Sequence, residues 1–269
     1  MTIKQNLILL LAIVFTGSMH AQNFQGVATY KSHQKIDLKM DSNLSSEMQK
    51  QMEEQIQKQM QRDYTLTFTK NESVYKENEK LAKPMPASGG FKIMVESGSD
   101  VLYKNIKENR YTNETSIFGK QFLIKDSLEN RKWQLKNETK SIGEYTCYKA
   151  TFSDTIETQT FVDGTLETIS EDRETIAWYT PQIPVNNGPE NFNGLPGLIL
   201  EINDGSLTLI CSKIILNPKE TIEIKEPKKG KVVTQEKFDT IMDKKSKELM
   251  ERAHSRNKDG DNVIITIGG

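Results

Sequence analysis

Polar and apolar residues alternate along most of the chain, and the alternation has the period of two that marks strands with one wet face. Phe24 to Lys31, FQGVATYK, is the first such run. YTLTFTK (Tyr64–Lys70) and ESVYKEN (Glu72–Asn78) follow as hairpin partners, and Lys83 to Gly90 is a breaker-rich loop. FKIMVES (Phe91–Ser97) predicts another strand, and the stretch after it divides into strands near 101–106, 109–117 and 120–125. Trp133 and Leu135 alternate, Ile142-Gly143-Glu144 forms a turn, and Tyr145 to Phe152 is a strand with Tyr148, Ala150 and Phe152 on one face. Glu174 to Val185 begins as a strand and is stopped by Pro181 and Pro184, which cannot donate to a ladder. Leu198–Asn203 and Ser206–Leu216 are the last long strands.

Two stretches change period. From Asp41 to Arg62, Leu44, Met48, Met52, Ile56 and Met60 recur every four residues, which predicts an amphipathic helix with Asp41 or Ser42 as its N-cap. Phe238, Ile241, Met242, Lys245 and Leu249 predict a second, C-terminal helix near 235–253, followed by a tail or final strand at 255–269. Strands follow strands without helices between them. The expected class is therefore β-rich α+β: about ten strands in a curved antiparallel sheet, with an early helix and a late one.

The segment NFNGLPGLILEINDG carries the most specific local signals. Leu195-Pro196-Gly197-Leu198 has the type II turn pattern, with Gly197 where φ must be positive. Asp204-Gly205 reads as a type I′ hairpin corner. Such a corner sets Ile202 opposite Leu207, Leu200 opposite Leu209 and Leu198 opposite Cys211, as one apolar face. Ile199 and Ile210 then fall on the other face. Upstream lies a proline- and glycine-rich stretch with aromatics. Trp178, Tyr179, Pro181, Pro184, Phe192, Leu195 and Pro196 are the candidate ligand-binding residues, because rigid loops of this composition meet ligands or partners. The bland alternative is a packed connection covering the end of the sheet.

The first residues predict an address rather than structure. Lys4 precedes a short apolar run, Leu7–Phe15, with small residues up to Ala21. The run is too short for a membrane span, which needs about 20 residues. Residues 1–21 are expected to be a cleaved signal peptide, leaving one domain over 22–254 with the helix at 41–62 as an insertion. No Cys lies near the cut, so a lipid anchor there is not expected. Periplasmic, extracellular or outer-membrane-associated life follows, with no further transmembrane span. Export makes Cys147 and Cys211, the two cysteines of the chain, either a disulfide worth about 4 kcal/mol or a pair of buried thiols.

Candidate chemistry is sparse. Net charge is −1, which removes the basic footprint of nucleic-acid binding. His33 and His254 sit in polar contexts at opposite ends, and no GxSxG, HExxH, CxxC or P-loop pattern is present. Glu167, Glu171, Asp172 and Glu174 cluster before Trp178, but nothing selects the pair a glycosidase needs. Met40, Met48, Met52 and Met60 could hold Cu(I), although the same spacing suits packing, and no His or Cys interleaves. No catalytic residues, metal or cofactor are expected.

Gly194-Leu195-Pro196-Gly197-Leu198-Ile199, with Ile142-Gly143, Tyr145, Cys147-Tyr148-Lys149-Ala150, Ala177-Trp178-Tyr179-Thr180-Pro181, Ile183-Pro184 and Gly188-Pro189, resembles the GLPGLI family of exported Bacteroidetes proteins. The resemblance spans about residues 24–250. It implies export and an envelope or secreted life, and it brings no catalytic residues. The run of strands with a helix is also similar to the half-barrel of lipoprotein carriers, a likeness of fold only. Asp126-Ser127-Leu128, Asp154-Thr155-Ile156 and Asp239-Thr240-Ile241 look like O-glycosylation sites of that lineage. The expected function is a non-catalytic binding or carrier protein for an apolar or peptide ligand. The alternatives are an envelope assembly protein docking through its Met-rich helix and, less favoured, a hydrolase.

Overall fold

The computed structural model describes residues 24–35, 47, 61–78, 100–117, 119–162, 165–220 and 222–257. The strands are β1 (Gln25–Gln34), β2 (Asp63–Thr69), β3 (Glu72–Glu77), β4 (Val101–Asn105), β5 (Arg110–Ile117) and β6 (Lys120–Ser127). They continue with β7 (Gln134–Ile142), β8 (Tyr145–Val162), β9 (Thr165–Thr180), β10 (Leu198–Asn203), β11 (Leu207–Leu216) and β12 (Lys231–Val233), and α1 (Gln235–Asn257) follows. They form one curved, unclosed sheet in the order β12-β6-β5-β4-β3-β2-β1-β11-β10-β9-β8-β7. The signal segment, the loop at 83–90, the strand expected at 91–97 and the tail from 258 onward lie outside the described residues, as does nearly all of the early helix with its methionines.

Alternation places the core as the sequence requires. Ala28 and Tyr30 of β1, Leu66 and Phe68 of β2, and Tyr75 of β3 share one face and one buried cluster. On the same face of the far wing, Phe122 and Ile124 of β6 receive Phe238 and Ile241 of α1, with the Phe122 and Phe238 rings 5.6 Å apart. The polar face of α1 carries its many Lys and Glu residues.

Twelve strands stand among the described residues where about ten were expected, and one pair is not antiparallel. β12 runs parallel to β6. A three-residue edge strand has too few positions to show a period. It is set by what precedes it: Glu226 accepts hydrogen bonds from Thr112 (2.7 Å) and Lys125 (3.2 Å) and pairs with Arg110 at 3.0 Å, which fastens the incoming chain to the sheet. Gly230, at φ 118°, then brings the backbone against Phe122, where a Cβ would lie 2.6 Å from the Phe122 carbonyl carbon.

The hairpin joining β10 to β11 differs from expectation by two residues. Ile202 pairs with Leu209 and Asn203 with Thr208. The corner is Gly205-Ser206, because the Asp204 carboxylate takes over the turn by accepting the N–H groups of Ser206 (3.0 Å) and Leu207 (2.7 Å). Gly205 alone has positive φ, 92°, as a Gly-X corner of type II′ requires and a type I′ corner does not. A shift of two keeps each side chain on its expected face. A second difference is a bulge between Ile199 and Glu201 where β10 meets β9. It brings Ile199 into the same cluster as Ile202, so Leu198, Ile199, Leu200 and Ile202 are all buried, while Ile210 stays 41% exposed.

Gly197 is not the positive-φ residue of a type II turn; that conformation belongs to Gly194, at φ 97°. The Gly197 N–H donates to the Leu195 carbonyl at 2.8 Å, closing a γ-turn around Pro196. Gly197 is required for a different reason: a Cβ there would stand 2.2 Å from the Thr180 carbonyl oxygen.

Candidate functional site

The chain between β9 and β10, residues 181–197, packs against the sheet rather than standing at its rim. It alternates like a strand without joining one. Ile183 and Val185 are buried in the cluster of Ala28, Tyr30, Leu66 and Phe68, while Pro181, Pro184 and Asn186 face out. Further along, Phe192 and Leu195 enter a second cluster with Ala150, Phe152, Ala177, Tyr179 and Ile199, and Asn191, Gly194 and Pro196 are exposed. Leu198 N–H donates to Ile183 O (3.0 Å) and Ile199 N–H to Asn187 O (2.9 Å), which ties the segment to the strand it leads into.

Three side chains from elsewhere pin it. Lys104 of β4 is fully buried and spends all three ammonium protons on backbone carbonyls of the segment: Gly188 at 2.8 Å, Glu190 at 2.6 Å and Phe192 at 3.2 Å. Arg131 donates to the Asn191 carbonyl at 2.9 Å and its side-chain oxygen at 3.0 Å, and its guanidinium stacks on the rings of Phe192 (4.8 Å) and Phe152 (5.6 Å). Trp133 donates from its indole to Asn193 O at 2.8 Å and meets the Phe152 ring edge-on at 4.8 Å. The Asn186 side chain accepts the Gly194 N–H, closing the segment on itself.

Burial sets the electrostatics. It pushes Lys104 down to about 7, reinforced by the Arg131 charge and opposed by Glu190. It pushes Glu190 up to about 7, with Asp204 adding to the rise and Lys104 and Arg131 opposing it. Glu190 holds a left-handed backbone at φ 46°, uncommon for a side chain of its length. Lys104 is fully buried among three backbone carbonyls, so its role here is anchoring.

The seven candidate residues divide. Tyr179, Phe192 and Leu195 come together in one buried cluster. Trp178 lies on the opposite face of β9, where Lys140 sits 4.5 Å over its ring and pairs with Glu201 at 2.7 Å. Pro181, Pro184 and Pro196 form an exposed crest. Cys147 and Cys211 are free thiols in one buried cluster, where burial raises Cys147 to about 11 and Cys211 to about 12. Glu171, Asp172 and Glu174 are exposed on the strand β9. Among the described residues no group of three or more His, Cys, Asp or Glu could hold a metal, and no helix is long and apolar enough to cross a membrane. Lys104, Arg131, Trp133 and Glu190 escaped the sequence reading. For Lys104 a signal was there: it occupies the same inward phase as Leu102.

A comparison with curated proteins finds no match. Among solved structures, the chain is similar to PNGF-II in its C2 and P21 space groups, at 14% and 12% identity with TM-scores of 0.48 and 0.47. These alignments cover 81% and 80% of this chain and 32% of the other, so the chain spans about a third of the length of those proteins. Residues 133–201, which contain Trp133, Trp178 and the whole pinned segment, match the uncharacterised, Bacteroidetes-associated family described as "Protein of unknown function (Porph_ging)".

Proposed function

We propose that this is an exported, non-catalytic binding protein of the cell envelope that engages a protein or peptide partner through the crest of its 181–197 segment. The observation that carries this reading is the way the segment is held. Its apolar side chains Ile183, Val185, Phe192 and Leu195 occupy the face where an apolar cargo would sit, and Lys104, Arg131 and Trp133 fix its backbone. What it presents outward is a set of exposed prolines and short polar residues at Pro181, Pro184, Asn186, Asn191 and Pro196. A preordered surface of this kind lowers the entropic cost of recognition. The matched span of 133–201 includes Gly194–Ile199, which supports assignment to the GLPGLI type.

The test pairs two measurements. Affinity capture from envelope extract with the native protein should recover a partner that Pro184→Asp and Pro196→Asp variants lose while keeping the native melting temperature. Native mass spectrometry of the purified protein should give the bare chain mass. A co-purifying lipid, with capture unaffected by the crest variants, returns the function to an apolar carrier.

A further inference from the structure

The longest strands of the sheet outrun their neighbours. β7 pairs with β8 only as far as Thr151, and β10 pairs with β9 only from Ile176 onward. Among the described residues, from Phe152 to Val162 and from Thr165 to Thr175, β8 and β9 therefore pair with each other alone, up to Val162 with Thr165. At about 3.3 Å per residue the arm extends roughly 33 Å and leaves a row of unpaired backbone groups along both sides. A two-stranded ribbon by itself is marginally stable in water, so an arm of this length gains most from a further strand.

Its charge is one-sided. Residues 152–175 contain Asp154, Glu157, Asp163, Glu167, Glu171, Asp172 and Glu174 against Arg173 alone, a formal −6. Arg173 is already committed to Asp154 (2.6 Å) and Asp204 (3.4 Å). With −1 for the whole chain, the remainder carries +5. Part of that charge lies on the opposite half of the sheet, at its terminal strand. Among the described residues β12 pairs only with β6, Val232 on it is 62% exposed, and Lys228, Lys229 and Lys231 around it are exposed. The nearby Glu226 is spent on Arg110, Lys125 and Thr112, so it does not neutralise these lysines.

Three pairings of these open edges are available between two copies. Arm against arm sets acid against acid, and β12 against β12 sets lysine against lysine; like charges on adjacent strands repel. Only arm against β12 brings opposite charges together. We propose that a second copy of this chain docks its basic β12 edge on the acidic β8–β9 arm, head to tail. Such an interface is heterologous, so it builds a ring if the rotation closes and an open fibre if it does not.

Sedimentation velocity on the purified chain tests this in about 10 mM salt, where the screening length is ~30 Å, and in about 1 M salt, where it is ~3 Å. Association should appear at low salt and weaken at least about tenfold at high salt, as electrostatic docking requires. Glu171→Lys with Asp172→Lys and Glu174→Lys, which takes the arm's formal charge from −6 to 0, and separately Lys228→Glu with Lys229→Glu, should each abolish it. An equimolar mixture of the two variants should restore it, since the native basic edge of the first then meets the native acidic arm of the second. A wild type that stays monomeric at low salt overturns the proposal without any variant. So does association that survives high salt or edge reversal, and so does failure of the mixed variants to associate.

Discussion

Lys104 Nζ lies 2.6 Å from the backbone carbonyl of Glu190, and both residues carry ionisable side chains whose titration burial has moved. Each partner is shifted toward neutrality by the same burial, one downward and one upward. Replacing Lys104 by Met leaves the carbonyls of Gly188, Glu190 and Phe192 without donors, while removing a buried charge. The first effect outweighs the second, and we expect a loss of about 2–4 kcal/mol at neutral pH, read from urea unfolding. Hydrogen exchange should localise the loosening to residues 186–194.

The same pair predicts an unusual pH profile. Glu190 titrates at about 7 in the folded state against 4.5 unfolded, so its contribution is present below 4.5 and is lost as pH rises to 7. Lys104 titrates at about 7 folded against 10.5 unfolded, so its contribution is present above 10.5 and is lost as pH falls to 7. The two together place a stability minimum near pH 7, with stability rising toward both acid and alkaline pH. Melting temperatures from pH 5 to 10 should trace it. Glu190→Gln should flatten the acid limb and Lys104→Met the alkaline one; a wild-type maximum near pH 7 contradicts the pairing.

Two glycines separate space from conformation. Gly197→Ala forces a methyl into the Thr180 carbonyl, so β9 and the γ-turn must part, at a cost of about 3 kcal/mol or more. Gly205→Ala meets no atom within 4 Å and suffers only from its φ of 92°, at about 1 kcal/mol. Parallel denaturation curves of the two variants give the order.

The buried thiols predict a simple titration. Burial raises both Cys147 and Cys211, so little thiolate forms at neutral pH and a thiol reagent should label neither in the native protein. Unfolding without reductant should release two reactive thiols per chain. Finding none after unfolding would establish a disulfide instead.

Much of the sheet was legible because alternation with one wet face has little competition as a signal. The strands at 101–105, 110–117 and 120–127, the β2–β3 hairpin and the Pro181 stop all stand where the pattern puts them. The corners were less legible. Asp204-Gly205 carries a strong local turn signal, but the Asp204 carboxylate, reaching the N–H of Leu207, moves the corner by one residue. Gly197 fits a type II pattern, but contact with Thr180 decides its role. At the candidate segment the sequence marked residues by composition, whereas their placement follows from strand parity, which sends Trp178 and Tyr179 to opposite faces. The anchors Lys104 and Arg131 act from strands and loops 60–90 residues away, a distance that no local pattern spans.

The central seam of the sheet joins residues about 170–190 positions apart, since β1 pairs with β11 from Gly26 with Leu216 to Gln34 with Leu207. At ~5–20 residues per second of synthesis, β1 waits about 10–40 s before the strand that completes it exists. During that interval Ala28 and Tyr30 are parts of an uncovered face and an open edge. Strands β1 to β6 can already pair with one another by then, and the seam closes only once β11 has been made. Such long-range pairing makes folding slow, and it makes the unfinished chain dependent on whatever keeps exposed strands apart along its route.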